Sequence, residues 1–331
     1  MAKSNRFGPL SLVLLPVLLT VSCDKAKKLM GSARSAVEKK ISSSAEGDVD
    51  RAPDPALQKL IDQSAEGYLF RKDLLFPANV NVTVKSSSEI SGRLVLASEL
   101  GKEARVFKGT ENFGGRFERS GEQVRLSLLE YTLKAASEKP DEESKEAPLK
   151  KETAAGKPTL FKHSAKGWTV DPSSDFHAAM NWKSMAPRFD DLLIEHGLSP
   201  RPMWFGKRRL KVGDPLSVSA GSLPMLVPGK STGSLHLTLE AIGAVHGHPC
   251  GIFSVTGNYN RKQVPDLNGQ LNDEEVTISS GKLWVSLLYP IVLREEADTI
   301  ESVRSGGQGG LVERSQGAVK VSIIREWKKV E

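Results

Sequence analysis

Apolar and polar residues alternate along several segments of this chain, and this alternation constrains its fold more than any other feature. Residues 80–84, 93–97 and 124–128 all follow a period of two, and glycines or serine-rich stretches separate them. Side chains two residues apart lie on the same face of a β-strand. Alternation interrupted by turn residues is typical of antiparallel sheets with one buried face. The sequence therefore predicts an antiparallel meander.

The same period returns in the C-terminal part of the chain. Leu235, Leu237 and Leu239 form one apolar face, and Val285 and Val321 lie in two further alternating segments. Between the two β-rich parts, residues 135–157 are rich in lysine and glutamate and contain several prolines. That composition predicts a charged disordered loop. The predicted organisation is a β-meander at 55–134 and a second β-rich half at 158–331, and one continuous fold is the alternative.

Helical spacing occurs in two places. Leu57, Leu60 and Ile61 follow Asp54, a suitable N-cap, and predict a brief helix over residues 55–65. Later, six apolar residues at helical spacing predict two abutting helices, with Pro187 at a first helical position and Gly197 as a C-terminal cap: Phe176, Met180, Met185, Phe189, Leu192 and Leu193. The predicted fold class is α+β, predominantly antiparallel β. We expect a strongly curved sheet or half-barrel with this pair of short helices packed on it.

The N-terminus begins with Lys3 and Arg6, continues as an apolar run over residues 10–21, and ends at Ser22 and Cys23. The run is shorter than the roughly 20 residues needed to cross a bilayer, so a signal peptide is the better interpretation. A small residue directly before a cysteine is what signal peptidase II requires. In these residues the chain resembles bacterial lipoproteins.

The resemblance to lipoproteins implies a signal peptide at 1–22, lipidation of Cys23 and a flexible lipidated tether at 23–54. A short amphipathic helix on the membrane is the alternative for the tether. A diacylglyceryl group with an N-acyl chain exceeds the two-chain requirement for stable anchoring. The protein would then be held in the cell envelope and face the periplasm or the cell exterior. Its predicted curved sheet also resembles the architecture of half-barrel lipoproteins that shuttle lipids.

Charge and cysteine content narrow the range of partners. The formal net charge is +6, and part of it lies in the signal segment and the tether. The remaining body is too weakly basic for a nucleic-acid footprint, so no nucleic-acid partner is predicted. If Cys23 carries lipid, Cys250 has no partner for an intramolecular disulfide, because the chain has 2 cysteines.

His246, His248 and Cys250 are the strongest candidate metal ligands. On a strand these alternate residues project to one side, as copper or zinc ligands would. The alternative is a hairpin turn at Gly247 that leaves both histidines in the turn and packs Cys250 into the core as a small hydrophobe.

A basic run with two aromatic residues is the second candidate. It predicts a patch for anionic lipid head groups or an acidic glycan, and the alternative is a solvated loop that leads into a strand. Its cations are Arg201, Lys207, Arg208, Arg209 and Lys211.

The chain contains neither a Gly-x-Ser-x-Gly motif nor a His-Glu-x-x-His motif, so we assign no catalytic residue and no cofactor. Residues 210–219, Leu-Lys-Val-Gly-Asp-Pro-Leu-Ser-Val-Ser, and residues 246–250, His-Gly-His-Pro-Cys, resemble an uncharacterised β-rich domain of bacterial envelope proteins. The resemblance implies a fold and no chemistry. We expect a non-enzymatic, lipid-anchored envelope scaffold or a binder of an apolar or acidic envelope component. The alternatives are an envelope-polymer hydrolase and a metal-handling lipoprotein.

Overall fold

The computed structural model describes residues 52–98, 101–138, 149–154, 157–171, 186, 189–202, 204–220, 231–265, 271–306 and 312–330. The predicted signal peptide, Cys23, the predicted tether up to residue 51 and the first helix of the predicted pair lie outside these residues.

Strands dominate the described residues. The two helices are α1 (Pro55–Gln58) and α2 (Phe189–Glu195). The strands of the N-terminal part are β1 (Asp62–Ser64), β2 (Gly67–Leu69), β3 (Asn79–Ser98), β4 (Gly101–Ser120), β5 (Gln123–Glu138), β6 (Leu149–Ala154), β7 (Thr159–Ser164) and β8 (Gly167–Val170). Those of the C-terminal part are β9 (Arg209–Leu210), β10 (Pro215–Ser219), β11 (Ser231–Val245), β12 (His248–Pro265), β13 (Leu271–Ser286), β14 (Val292–Gly306) and β15 (Val312–Lys329).

One 12-stranded sheet contains most of these strands, in the order β10-β11-β12-β13-β14-β15-β3-β4-β5-β7-β8, with β6 paired to β5. Its neighbouring strands are antiparallel. The prediction of a mainly antiparallel β fold is therefore confirmed. A small sheet of β1, β2 and β9 accompanies it.

The two β-rich halves of the chain meet at strands β3 and β15. These strands pair from Val80 opposite Lys329 to Ala97 opposite Val312. Strands from the N-terminal and C-terminal parts thus lie side by side in a single sheet.

The segment predicted as a charged loop, residues 135–157, includes strand structure. Strand β5 continues to Glu138, and β6 (Leu149–Ala154) pairs with β5 from Glu130 to Ala135. Pairing uses backbone groups, and charged side chains are common on strands at a sheet edge, so the lack of apolar periodicity did not reveal β6.

The sheet has an inner face, defined here as the face that carries Val80, Val82 and Val84. Opposite Val82 on the neighbouring strands lie Phe117 and Trp327, and all of these side chains are buried. Helix α2 contributes the buried Phe189 and Leu193 to the same hydrophobic core. The alternation in the sequence therefore identified the buried face.

Helix α1 is shorter than predicted. The Asp54 side chain does cap it, accepting a hydrogen bond from the Ala56 N–H at 2.8 Å. The helix ends at Gln58, and β1 and β2 form a hairpin where the helix was expected. Strand β9 packs so closely here that a Cβ on Gly67 would lie 2.5 Å from the Leu210 oxygen. Leu57 lies in the helix, and the Leu60 and Ile61 N–H groups that follow it donate to the Leu57 and Gln58 oxygens at 3.0 and 3.2 Å.

Helix α2 ends in a Schellman motif. Gly197 has φ +74°, the Leu198 N–H donates to the Leu193 oxygen at 2.8 Å, and the Gly197 N–H donates to the Ile194 oxygen at 3.1 Å. The predicted cap at Gly197 is therefore present. Within the described ranges, neither helix is long and apolar enough to cross a membrane.

Candidate functional site

The three candidate metal ligands lie around the hairpin between β11 and β12. His246 and Gly247 form its two-residue turn, with φ of 48° and 80°. His248 begins β12, and Cys250 is completely buried. In the described part of the chain, no group of three His, Cys, Asp or Glu side chains is placed to hold a metal ion.

His248 is a core residue, which the turn interpretation did not anticipate. Its Nε2 lies 2.8 Å from the Ser286 Oγ, and that oxygen accepts hydrogen bonds from the Leu288 and Tyr289 N–H groups at 3.0 Å each. The Ser286 hydroxyl therefore uses its own proton to donate to Nε2, which assigns a neutral imidazole protonated at Nδ1. Burial lowers the pKa of His248 to about 4, in agreement with the neutral form.

The five cations of the basic run separate in the structure. The Arg201 side chain is buried, and the backbone N–H of this residue donates to the Pro290 oxygen at 3.1 Å. Arg209 forms a half-buried ion pair with Asp62 at 2.6 Å. Lys207, Arg208 and Lys211 are exposed. Two of the five side chains are thus part of the packing between elements.

A buried charged cluster lies where α2 and the segment after it cross the inner face. Arg325 and Glu295 form an ion pair at 2.7 Å, with side chains 1% and 2% exposed. The pKa of His196 is held well below its usual value, first by burial and then by the charges of Arg325 and Arg201. The sequence signal for this cluster was Arg325 itself, which shares its strand face with the buried Ile323 and Trp327.

Hydrogen bonds hold the same segment against the sheet. The Trp327 Nε1–H donates to the Gly197 oxygen at 2.8 Å. The Arg119 guanidinium donates to the Leu198 oxygen at 2.7 Å and to the Ser199 hydroxyl at 2.6 Å. Residues 189–199 therefore cover this end of the inner face.

A second polar group lies further along the C-terminal strands. Arg261 on β12 and Glu274 on β13 form a buried ion pair. The Thr299 hydroxyl donates to the buried carboxyl of Glu301 at 3.2 Å. Burial raises the pKa of Glu301 to about 7, and the hydrogen bond from Thr299 opposes that shift.

An apolar patch crosses the middle strands of the inner face. It consists of Val319 on β15, Ile90 on β3, Phe107 on β4 and Leu133 on β5, and all but the buried Val319 are half-buried.

Glycines on two neighbouring strands lie beneath the Phe107 ring. A Cβ on Gly92 would lie 2.7 Å from the Phe107 Cζ, and one on Gly317 would lie 3.3 Å from the same atom. Side chains at these two positions would therefore displace the ring.

Glu111 is the acidic residue beside this patch. It lies on the inner face of β4, directly opposite Ser88 on β3 and Leu133 on β5, and is hydrogen-bonded to Tyr131. Burial raises the pKa of Glu111 to about 7, and the Tyr131 hydrogen bond opposes the shift. The pKa of Tyr131 is raised well above its usual value by burial and by the Glu111 carboxylate. Sequence periodicity offered a signal here too, since Glu111 shares its face with the buried Phe113.

Comparison with known proteins identifies no family for this chain. No family model matches it, and no curated protein does. A lipovitellin structure concerned with lipid–protein interactions is similar at 10% identity and a TM-score of 0.34, covering 78% of this chain and 26% of the lipovitellin chain. The chain thus spans about a quarter of the lipovitellin chain. A DUF1329 family protein from Desulfovibrio piger is similar at 10% identity and a TM-score of 0.14, covering 73% of this chain and 85% of that one. At these TM-scores neither similarity establishes a shared fold.

Proposed function

We propose that this protein is a non-enzymatic, lipid-anchored protein of the cell envelope that binds an acyl-chain lipid on the inner face of its sheet. The observation that carries the proposal is the apolar patch of Ile90, Phe107, Leu133 and Val319, where three of four large apolar side chains are only half-buried. Half-buried apolar side chains grouped on one face of a sheet are typical of sites for apolar ligands.

Curvature of the sheet into a half-barrel is part of the proposal. Irregular registers occur on several strand pairs, at Gly114/Gly115, Leu239/Ala241, Ser254/Gly257, Ile278/Ser280 and Trp284/Val285. Bulges bend strands and increase their twist. Glycines such as Gly92 and Gly317 let large side chains lie close to the backbone on the inner side. Both features support a sheet that curves around its inner face.

The proposed ligand is an acyl chain because the patch offers apolar area. Burial contributes about 0.8 kcal/mol per methylene, so ten buried methylenes would contribute about 8 kcal/mol before the entropic cost of association is subtracted. Residues 189–199 occupy one end of the inner face, and the chain would lie on the part beyond them.

The anchor belongs to the same proposal. Lys3, Arg6 and the apolar run that ends at Ser22 and Cys23 support export and lipidation. With Cys23 lipidated, the folded body would sit close to a membrane surface, where acyl-chain lipids are available.

Mass spectrometry of the protein purified from its own host tests both parts of the proposal. We expect an N-terminal peptide that begins at Cys23 and carries diacylglyceryl and acyl groups. Native spectra should also show an acyl lipid bound near one per protein. An unmodified N-terminus would refute the anchor. Absence of bound lipid, together with no binding of added acyl lipid, would refute the binding function.

A further inference from the structure

We propose that Glu111, in its protonated form, is the polar anchor of the lipid site and donates a hydrogen bond to an ester or amide carbonyl of the bound lipid. This inference rests on the proposed function and identifies both the residue and the class of head group that it recognises.

The position of Glu111 is the first reason. Its carboxyl shares the inner face of β4 with Phe107 of the apolar patch, and Leu133 of the patch lies directly opposite on β5. A lipid whose chain lies on the patch would therefore bring its polar end within reach of this carboxyl. Glu111 is also half-buried, whereas Glu274, Glu295 and Glu301 on the same face are each 2% exposed. It is thus the most accessible of these four carboxyls.

The hydrogen-bonding direction is the second reason. Tyr131 donates its hydroxyl proton to one Glu111 oxygen, since this contact stabilises the carboxylate. A protonated Glu111 then has its own O–H to donate outward. The pair would form a relay from Tyr131 through Glu111 to a ligand acceptor.

The absence of nearby positive charge selects the head group. On the inner face, the described neighbours of Glu111 are Ser86, Ser88, Ile90, Gly109, Phe113, Tyr131, Leu133 and Ala135, and none of them is cationic. Of these, Tyr131 is the one titratable group that faces Glu111. A free carboxylate or phosphate at this point would lose its hydration without a compensating cation, which costs several kcal/mol. A neutral carbonyl oxygen needs one donor, and protonated Glu111 supplies it.

The experiment measures binding of monopalmitoylglycerol to full-length chains that carry Cys23→Ser, which removes the protein's own acyl groups. Dissociation constants are determined over a series of pH values from 5.5 to 8.5 for this background and for Glu111→Gln, Tyr131→Phe and Glu89→Gln added to it. Glu89 is the matched control, because it is exposed and lies on the opposite face of the neighbouring strand β3. Thermal melting of each variant checks that it is folded.

Binding to the background protein should weaken by up to about 30-fold at pH 8.5, because the Glu111 pKa of about 7 leaves roughly one molecule in thirty protonated. Glu111→Gln should bind equally at all these pH values, since an amide donates without titrating. Tyr131→Phe should move the midpoint of the pH dependence upward, because the carboxylate loses its donor. Glu89→Gln should match the background.

Two outcomes would overturn the proposals, and they differ. Binding that retains its full pH dependence in Glu111→Gln would refute the role of Glu111 and leave the binding function intact. Failure of the background protein to bind monopalmitoylglycerol at any of these pH values would refute the binding function itself. If Glu111→Gln does not fold, the midpoint shift in Tyr131→Phe decides the role of Glu111.

Discussion

Among single residues, two histidines that lie two positions apart in the sequence have different environments in the folded protein. His248 bonds to Ser286 inside the protein, whereas His246 lies in the turn. We expect His248→Ala to lower the free energy of unfolding at pH 7 by about 3 kcal/mol, because it leaves a cavity and an unsatisfied hydroxyl. Cys250→Ala should cost about 1 kcal/mol. His246→Ala is the control and should stay within about 0.5 kcal/mol.

The lowered pKa of His248 predicts how the stability difference between wild type and His248→Ala changes with pH. Burial lowers the His248 pKa to about 4 from an ordinary value of 6.5. Between these two pH values His248 binds a proton in the unfolded chain but not in the folded protein. Its contribution to the free energy of unfolding therefore falls as the pH drops from 6.5 towards 4. The loss amounts to about 1.4 kcal/mol per pH unit. Urea unfolding at pH 7 and pH 4.5 should show the gap between wild type and His248→Ala shrink at pH 4.5. A gap that stays constant would contradict a buried neutral imidazole.

At the scale of elements, the seven-residue helix α2 depends on its C-terminal cap and on the sheet below it. A non-glycine residue in the left-handed conformation of Gly197 costs about 1–2 kcal/mol. Gly197→Ala should therefore lower the free energy of unfolding by that amount. Gly197→Asn should cost less, since asparagine tolerates this conformation better. Denaturant titration measures both variants, and an alanine variant as stable as wild type would show that the cap does not determine how α2 packs.

At the scale of the whole molecule, the pairing of β3 with β15 joins the two halves of the chain. We expect them to unfold in one transition. Variants that retain only Trp168, on β8, or only Trp284, on β13, report on opposite sides of that pairing. Their fluorescence midpoints in guanidinium should coincide with each other and with the loss of circular dichroism. Two separated midpoints would instead indicate two independent domains.

Sequence periodicity predicted the local structure where it repeated often enough. Val80, Val82 and Val84 identified a strand and its buried face. Gly197 was recognised as a cap because no other residue accepts its backbone conformation as readily. The spacing of Leu57, Leu60 and Ile61 predicted a helix that does form but ends at Gln58, since three apolar residues do not determine where a short helix stops.

From the sequence one can read the strands that carry repeated apolar alternation, the buried side of those strands, and the residue at which helix α2 stops. These properties depend on residues close together in the chain, so they can be read locally. The pairing of β3 with β15, the ion pair of Arg325 with Glu295, and the position of Glu111 beside an apolar patch are visible only in the folded protein. Each of these contacts joins residues on different strands. Their energies depend on burial and on neighbouring charges, and those exist only once the sheet has assembled.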